Sequence, residues 1–422
     1  MSVIGGQALL IFNCGQVLTL RGPRRPRIGR EMEALGILRK GAVLIKGRAV
    51  AMVGPQDRLA RSPEARKAHK LDAGGRVVLP GFVDSHTHAL FAAPRLDEYE
   101  ARIRGASYGQ IARAGGGIQA SARSMRAASE RVLAAQLEKA IGLFLEHGTT
   151  TVEVKSGYGL DFAQELKMLR VIRASARGPL DLIPTLLVHD VPARFKATRR
   201  RFLDAVIHHL IPRVARDRLA DFFDVFCDRG YFSLSETKAL LEAAAQAGLK
   251  LKLHADQLAR SGAALLGARY GAVSVDHLDH VGNADIRRLR GTGTIATLLP
   301  GTVLHLGSGP YPPARQLIQG GIPVALATNF NPGSCPTPNM QMILTLACSQ
   351  MRMSPAEAIT AATINGAYAV GRGDRVGSLE IGKQADLAIM DVSDYREIPY
   401  FFGMNHCHTV ITKGRVAYQR TT

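Results

Sequence analysis

The sequence predicts an α/β fold: a (β/α)8 barrel joined to a small β-sandwich built from both ends of the chain. Three observations carry this. Eight apolar runs alternate with helix-like segments between residues 76 and 328, the pattern of a parallel sheet covered on both faces. Matching hairpin signals stand near the two chain ends. The 422 residues suffice for one large barrel plus a smaller unit.

The first 75 residues read as short strands and turns. The stretch AVLIKGRAVAMVG (42–54) turns at Lys46-Gly47-Arg48, and HTVITKGRVAY (408–418) turns at Lys413-Gly414-Arg415. Glycine in a turn between two β-branched runs is a hairpin signal. The composite β domain is therefore placed at 1–78 and 374–422, with the barrel at 79–373.

Barrel strand 1 is read as the single run RVVLPGFVDSH (76–86). The helix at 129–148 has Ser129 as its cap and Gly148 as its stop. Strand 2, TTTVEVK (149–155), precedes a helix at 161–175 and strand 3 at 180–189. A helix at 200–214 leads to strand 4 (220–227), and one at 235–248 to strand 5 (249–254). Helix 261–271 precedes strand 6 (272–277), helix 283–290 precedes strand 7 (293–300), and helix 313–321 precedes strand 8 (322–328).

A barrel of this kind carries its active site at the strand C-terminal ends. The polar residues there are His86 and His88, Lys155, His189, His254, His277 and Asn329, and they include five of the thirteen histidines. One such histidine is more often structural than functional; several converging on one rim imply a site. In a strand, residues i and i+2 point the same way, so His86 and His88 direct two imidazoles at one point. His254, from across the barrel, completes a set that leaves positions open for water, as a catalytic metal site requires.

Composition narrows the classes further. At 46% hydrophobic and 21% charged, the chain reads as an ordinary globular protein. Its five cysteines are scattered without a CxxC pair, which suits a reducing compartment. The opening MSVIGGQALLIFNCGQVLTL lacks a basic segment and is interrupted by Asn13, Gly15 and Gln16, so neither a signal peptide nor a membrane span is expected and a cytoplasmic location is. The net charge of +19 concentrates in RGPRRPRIGR (21–30), with five arginines, and ATRRRF (197–202). A nucleic-acid surface is one reading. The arginines lack interleaved aromatics, so a solvated, flexible Arg/Pro loop is the reading preferred and no nucleic-acid partner is expected.

The stretches PGFVDSHTHALFA, TTTVEVKSGYGLD, LHADQ, SVDHLDHV, ATNFNPGS and RVGSLEIGKQADLAIMD together resemble the amidohydrolase superfamily, and within it the imidazolonepropionase family. The similarity runs from about residue 40 to the C-terminus, and VEVKSGYG with NPGS is the family-specific part. The resemblance implies a metal-dependent enzyme of histidine degradation that opens the ring of 4-imidazolone-5-propanoate with water, giving N-formimino-L-glutamate. It implies one divalent ion, zinc or iron, on His86, His88 and His254, a small anionic substrate, and a homodimer. It assigns substrate contacts to Arg95, Tyr158, His189 and Gln257, and a cradle for the propanoate or product to Asn331, Gly333 and Ser334. His277 would polarise the carbonyl or orient water. Lys155 is read as a structural lysine rather than a carboxylated metal bridge.

One position departs from the family. Where relatives read ATDFNPGS, with an aspartate that approaches the metal and shuttles the proton, this chain has Asn329. An amide oxygen can touch a metal or hold water, but it is no general base. Three readings follow: a working imidazolonepropionase with an altered proton carrier, an impaired relative that binds imidazolone-type ligands, or a hydrolase of another cyclic amide.

Overall fold

Eight parallel strands pair in chain order around the barrel: Phe82–Asp84, Thr149–Lys155, Asp181–Val188, Phe222–Cys227, Lys250–Ala255, Ser274–His277, Ile295–Leu298 and Val324–Leu326. They are seen in a computed structural model that describes residues 8–106, 110–111 and 114–421. Nearly every strand residue is buried, because helices cover the outside and side chains fill the inside, so both faces demand apolar or fully partnered groups. Strands 8 and 1 meet just beyond their ends, where Asn329 N donates to His86 O at 3.0 Å and His88 N to Phe330 O at 2.9 Å. That seam places Asn329 beside the His86-Thr87-His88 segment.

The helices begin where capping chemistry allows. Ser129 accepts from Val132 N, and Asp161 from Gln164 N. The helix expected from Ser235 starts earlier, at Leu234, because Ser233 and Glu236 form a capping box. The helix expected over 200–214 contains a π turn at Val206–Leu210, just before Pro212. Proline has no N–H to give the preceding turn, so the turn widens there.

The second sheet is mixed and joins the chain ends as expected. Leu9–Leu18, Ile37–Lys46, Ala49–Pro55, His69–Asp72 and Val77–Pro80 come from the first part, and Leu387–Met390, Cys407–Thr412 and Arg415–Gln419 from the last. The two hairpin turns lie against each other: a Cβ on Gly414 would stand 2.1 Å from Gly47 O. The run 76–86 is not one strand. Val77–Pro80 pairs with Leu387–Met390 in the mixed sheet, and Phe82–Asp84 pairs with barrel strand 2. The chain changes sheets at Gly81, where a Cβ would meet the Thr150 side chain at 2.2 Å.

The arginine-rich loop differs from the flexible segment expected. Arg27 is buried and its guanidinium donates to the carbonyls of Pro23, Arg25 and Leu20. Its backbone N donates to Asn365 Oδ1 at 2.7 Å, and Arg25 pairs with Glu31 at 2.6 Å. The proline-rich backbone turns its carbonyls inward, so one arginine serves as an internal clamp while Arg21, Arg24, Arg25 and Arg30 face solvent. Among the described residues no helix is long and apolar enough to cross a membrane.

Between the sheets, Asp386 accepts from Lys413 N at 2.6 Å and Gln384 Nε2 at 2.8 Å. Burial outweighs those bonds and, with Asp181 nearby, pushes its carboxyl from 3.8 up to about 6. The folded state therefore takes up this proton more readily than the unfolded chain. The resulting stabilisation is complete below 3.8 and is lost as pH rises through about 6. Asp386→Asn removes that titration, so its unfolding free energy relative to the parent should rise by about 2 kcal/mol between pH 4 and pH 7. Denaturant titrations at both pH values check this; a constant offset would mean the carboxyl is not destabilised by burial.

Candidate active site

The strand ends bring the predicted histidines together. His86, His88 and His254 offer one donor atom each, all within 4.8 Å of one another and all buried. Ring centroids lie 4.5 Å apart for His86 and His254, and 5.4 Å for His86 and His88. His277 stands 5.5 Å from His86 and 5.3 Å from His254. Burial, first of all, holds His86, His88 and His277 well below the usual imidazole range, and neighbouring histidines add to it. These rings are therefore neutral at pH 7, the form that ligates metals.

Beneath the triad lies a charged floor. His86 Nδ1 meets Asp276 Oδ2 at 2.6 Å, which fixes that nitrogen as the N–H and leaves Nε2 buried with no partner among the described residues. Asp224 Oδ2 lies 3.0 Å from His254 Nδ1, near but not aligned as a hydrogen bond. Lys155 Nζ donates to Glu153 and Asp224 at 2.7 Å each, with Asp276 at 3.8 Å. Lys252 Nζ donates to Ser85 O at 2.7 Å and lies 3.7 Å from both Glu153 and Asp276. Burial lowers the Lys155 pKa, but the three carboxylates outweigh it and hold the ammonium above its ordinary range. Carboxylation needs a free amine and would set a carbamate against two carboxylates, so Lys155 is a structural ion.

Glu153, Asp224, Lys252 and Asp276, all fully buried, stand outside the set of strand-end residues that the sequence singles out. The signal was present: Glu153 and Lys155, and Lys252 and His254, stand at i and i+2 in otherwise apolar strands, the spacing of residues that share one face of a strand.

Around the triad stands a cage. The Tyr158 ring is 5.5 Å from His88 and 5.8 Å from His189, and the Arg95 guanidinium lies over it at 5.6 Å. Burial, then His254 and Arg95, lowers His189 to about 3. Arg95 Nε donates to Ser121 Oγ at 2.9 Å, and its Nη1 stands 2.4 Å from where a Cβ on Gly333 would fall. Any other residue at 333 would displace the guanidinium.

The NPGS turn is organised from within. Asn331 Oδ1 accepts from Gly333 N and Ser334 N at 2.8 Å each, and its Nδ2 donates to Asn329 O and Ser334 Oγ. The Gly333 N–H is thus turned inward, and the bare Cα of Gly333 leaves room for the Arg95 guanidinium. Gln257 follows strand 5, with its backbone N–H held by Asp228 at 2.8 Å.

Asn329 is buried in a left-handed conformation, φ +55°, which asparagine tolerates better than most residues. Its Nδ2 donates to Thr302 Oγ1 at 2.8 Å, and Oδ1 has no partner among the described residues. Thr302 belongs to the helix Pro300–Leu306, which the sequence reading left out. His277 and Leu278 also have positive φ, +84° and +64°, a strained backbone of the sort concentrated at active sites.

Three buried imidazoles with converging nitrogens, an unpartnered His86 Nε2 and a carboxylate fixing its tautomer fit a divalent metal. Together with the barrel, they define a metal-dependent hydrolase of the amidohydrolase class. The amidohydrolase family profile matches residues 77–417. An imidazolonepropionase of Solibacter usitatus is 46% identical over 97% of this chain and 99% of its own length, and one of Geobacillus thermodenitrificans is 44% identical over 97% of each. The chain belongs to the imidazolonepropionase family. An adenosine deaminase from Xanthomonas campestris with bound zinc shares the fold, with a TM-score of 0.70 at 20% identity over 97% of this chain and 92% of its own. Guanine deaminase from E. coli does so with a TM-score of 0.69 at 18% identity, over 98% of this chain and 100% of its own.

Proposed function

We propose that the chain hydrolyses the ring C–N bond of 4-imidazolone-5-propanoate, with His86, His88 and His254 holding one divalent ion, zinc or iron. The observation that carries this reading is the buried histidine triad under a cage that ends in a guanidinium. Such an ion supplies Lewis-acid polarisation and a water of lowered pKa.

The protein's own groups do the rest. Arg95, braced by Ser121 and Gly333, takes the propanoate carboxylate. Tyr158 and His189 hold the ring, and Gln257 lies at the rim beside it. His277, neutral and held at positive φ, donates its N–H to the ring carbonyl as negative charge develops on that oxygen. One water molecule adds across the C–N bond, so the carbonyl carbon gains oxygen and the departing ring nitrogen gains hydrogen. Asn329 accepts a hydrogen bond from water through Oδ1 but cannot carry that proton.

The test is hydrolysis of imidazolonepropanoate with metal content measured on the same samples. The parent chain should bind one equivalent of metal and turn over. His88→Ala should lose the metal and fall to background; unchanged metal content and turnover in that variant would overturn the assignment.

A further inference from the structure

Tyr158 is carried by a short loop between barrel strand 2 and the helix that follows it. Gly157 has φ +101° and Leu160 φ +55°, so the chain between strand 2 and the helix Phe162–Ser175 follows neither strand nor helix. Three of its N–H groups converge on one buried carboxylate. Gly157 N donates to Glu165 Oε2 at 2.7 Å, and Gly159 N and Leu160 N donate to Glu165 Oε1 at 2.8 and 2.9 Å. From the other side, a Cβ on Gly157 would meet Leu187 Cδ2 at 2.7 Å, and one on Gly159 would stand 2.6 Å from Glu165 N. The loop is clamped between a carboxylate and a packed strand, and the residue at its centre is the one whose ring faces His88, His189 and Arg95.

We infer that Glu165 is a positioning residue for substrate binding: its carboxylate gathers the loop N–H groups and so sets where Tyr158 meets the imidazolone ring. This rests on the proposed substrate reading. Only a carboxylate serves all three donors. An amide at 165 offers one oxygen and turns an NH2 group toward a glycine N–H, donor against donor. Glu165 touches neither the histidine triad nor the charged floor through any hydrogen bond or ion pair among the described residues, so its effect should reach binding and spare the metal.

Steady-state kinetics of Glu165→Gln, Tyr158→Ala and the double variant test this, with metal content measured throughout. Glu165→Gln should raise KM about tenfold, change kcat by less than about threefold and leave metal content unchanged. In the Tyr158→Ala background the same change should leave KM where it stands, since residues acting through one contact are not additive. Gly159→Ala, which pushes the loop from within, should reproduce the KM rise if Glu165→Gln folds poorly. Glu165→Gln raising KM equally in both backgrounds, or not at all while Tyr158→Ala raises it, would overturn the inference alone. If Tyr158→Ala leaves KM unchanged, the substrate reading fails and this inference falls with it.

Discussion

Asn329→Asp should raise kcat by about 10²–10⁴-fold, the range that a placed general acid–base contributes. The site is already shaped to receive a carboxylate. Aspartate tolerates the left-handed backbone at 329 about as well as asparagine does, and the backbone bond from 329 N to His86 O does not involve the side chain. Thr302 Oγ1, which accepts from the amide at 2.8 Å, need only rotate its hydroxyl to donate to a carboxylate oxygen. The second oxygen would then occupy the place of the unpartnered Asn329 Oδ1. It can take a proton from the attacking water and return it to the ring nitrogen, which the amide cannot do.

The same change should tighten metal binding. In the floor network two lysines face three carboxylates, leaving one surplus negative charge under a divalent ion. A carboxylate at 329 would balance that ion. Turnover and metal dissociation by parent and variant read the two effects separately. Equal kcat in both would show that another group, with His277 nearest to the triad, moves the proton in this chain. A rise in metal affinity without a rise in kcat would confine Asn329 to ligation.

The parts of the site that follow one strand were legible in the sequence, and the parts that join strands were not. His86 and His88 declare a shared direction by their spacing alone, and the apolar runs ending in histidine locate the rim. The pairing of Asp276 with His86 spans 190 residues, and nothing local marks it beyond an acid inside an apolar strand. Asn331 enters the site through the family resemblance of NPGS alone, and its spacing does not announce that its side-chain oxygen also closes the turn. Gly81 shows the same limit for the fold. Pro80-Gly81 interrupts an apolar run, yet the switch of sheets depends on Leu387–Met390, which lies far away in the chain. Arg27 was read as part of a solvated run because its five arginines look alike in sequence, and burial depends on which way the prolines turn the backbone.

Lys155→Met should destabilise the fold by about 3–5 kcal/mol, the cost of removing one partner from a buried ionic cluster. The lysine has three carboxylates within 3.8 Å and no exposure to water. Lys252 stays, but it already serves Ser85 O and stands 3.7 Å from Glu153 and Asp276, so it cannot replace a contact at 2.7 Å to Asp224. At least one carboxyl must then take up a proton. Asp224 is the one most exposed to this, because Lys155 and His254 keep it ionised against its burial. Protonating it would disturb the side of His254 that faces the floor, so metal should also dissociate faster. Glu153→Gln combined with Lys155→Met restores the charge balance and should recover part of the lost stability. A carboxylated bridging lysine makes a different forecast: metal loss in Lys155→Met that does not track fold stability, no help from Glu153→Gln, and sensitivity of the parent to added bicarbonate. Urea unfolding with metal release followed on the same samples separates the two. A double variant as unstable as Lys155→Met itself, with a parent that does not respond to bicarbonate, would mean that the ammonium's hydrogen bonds, rather than its charge, hold the floor together.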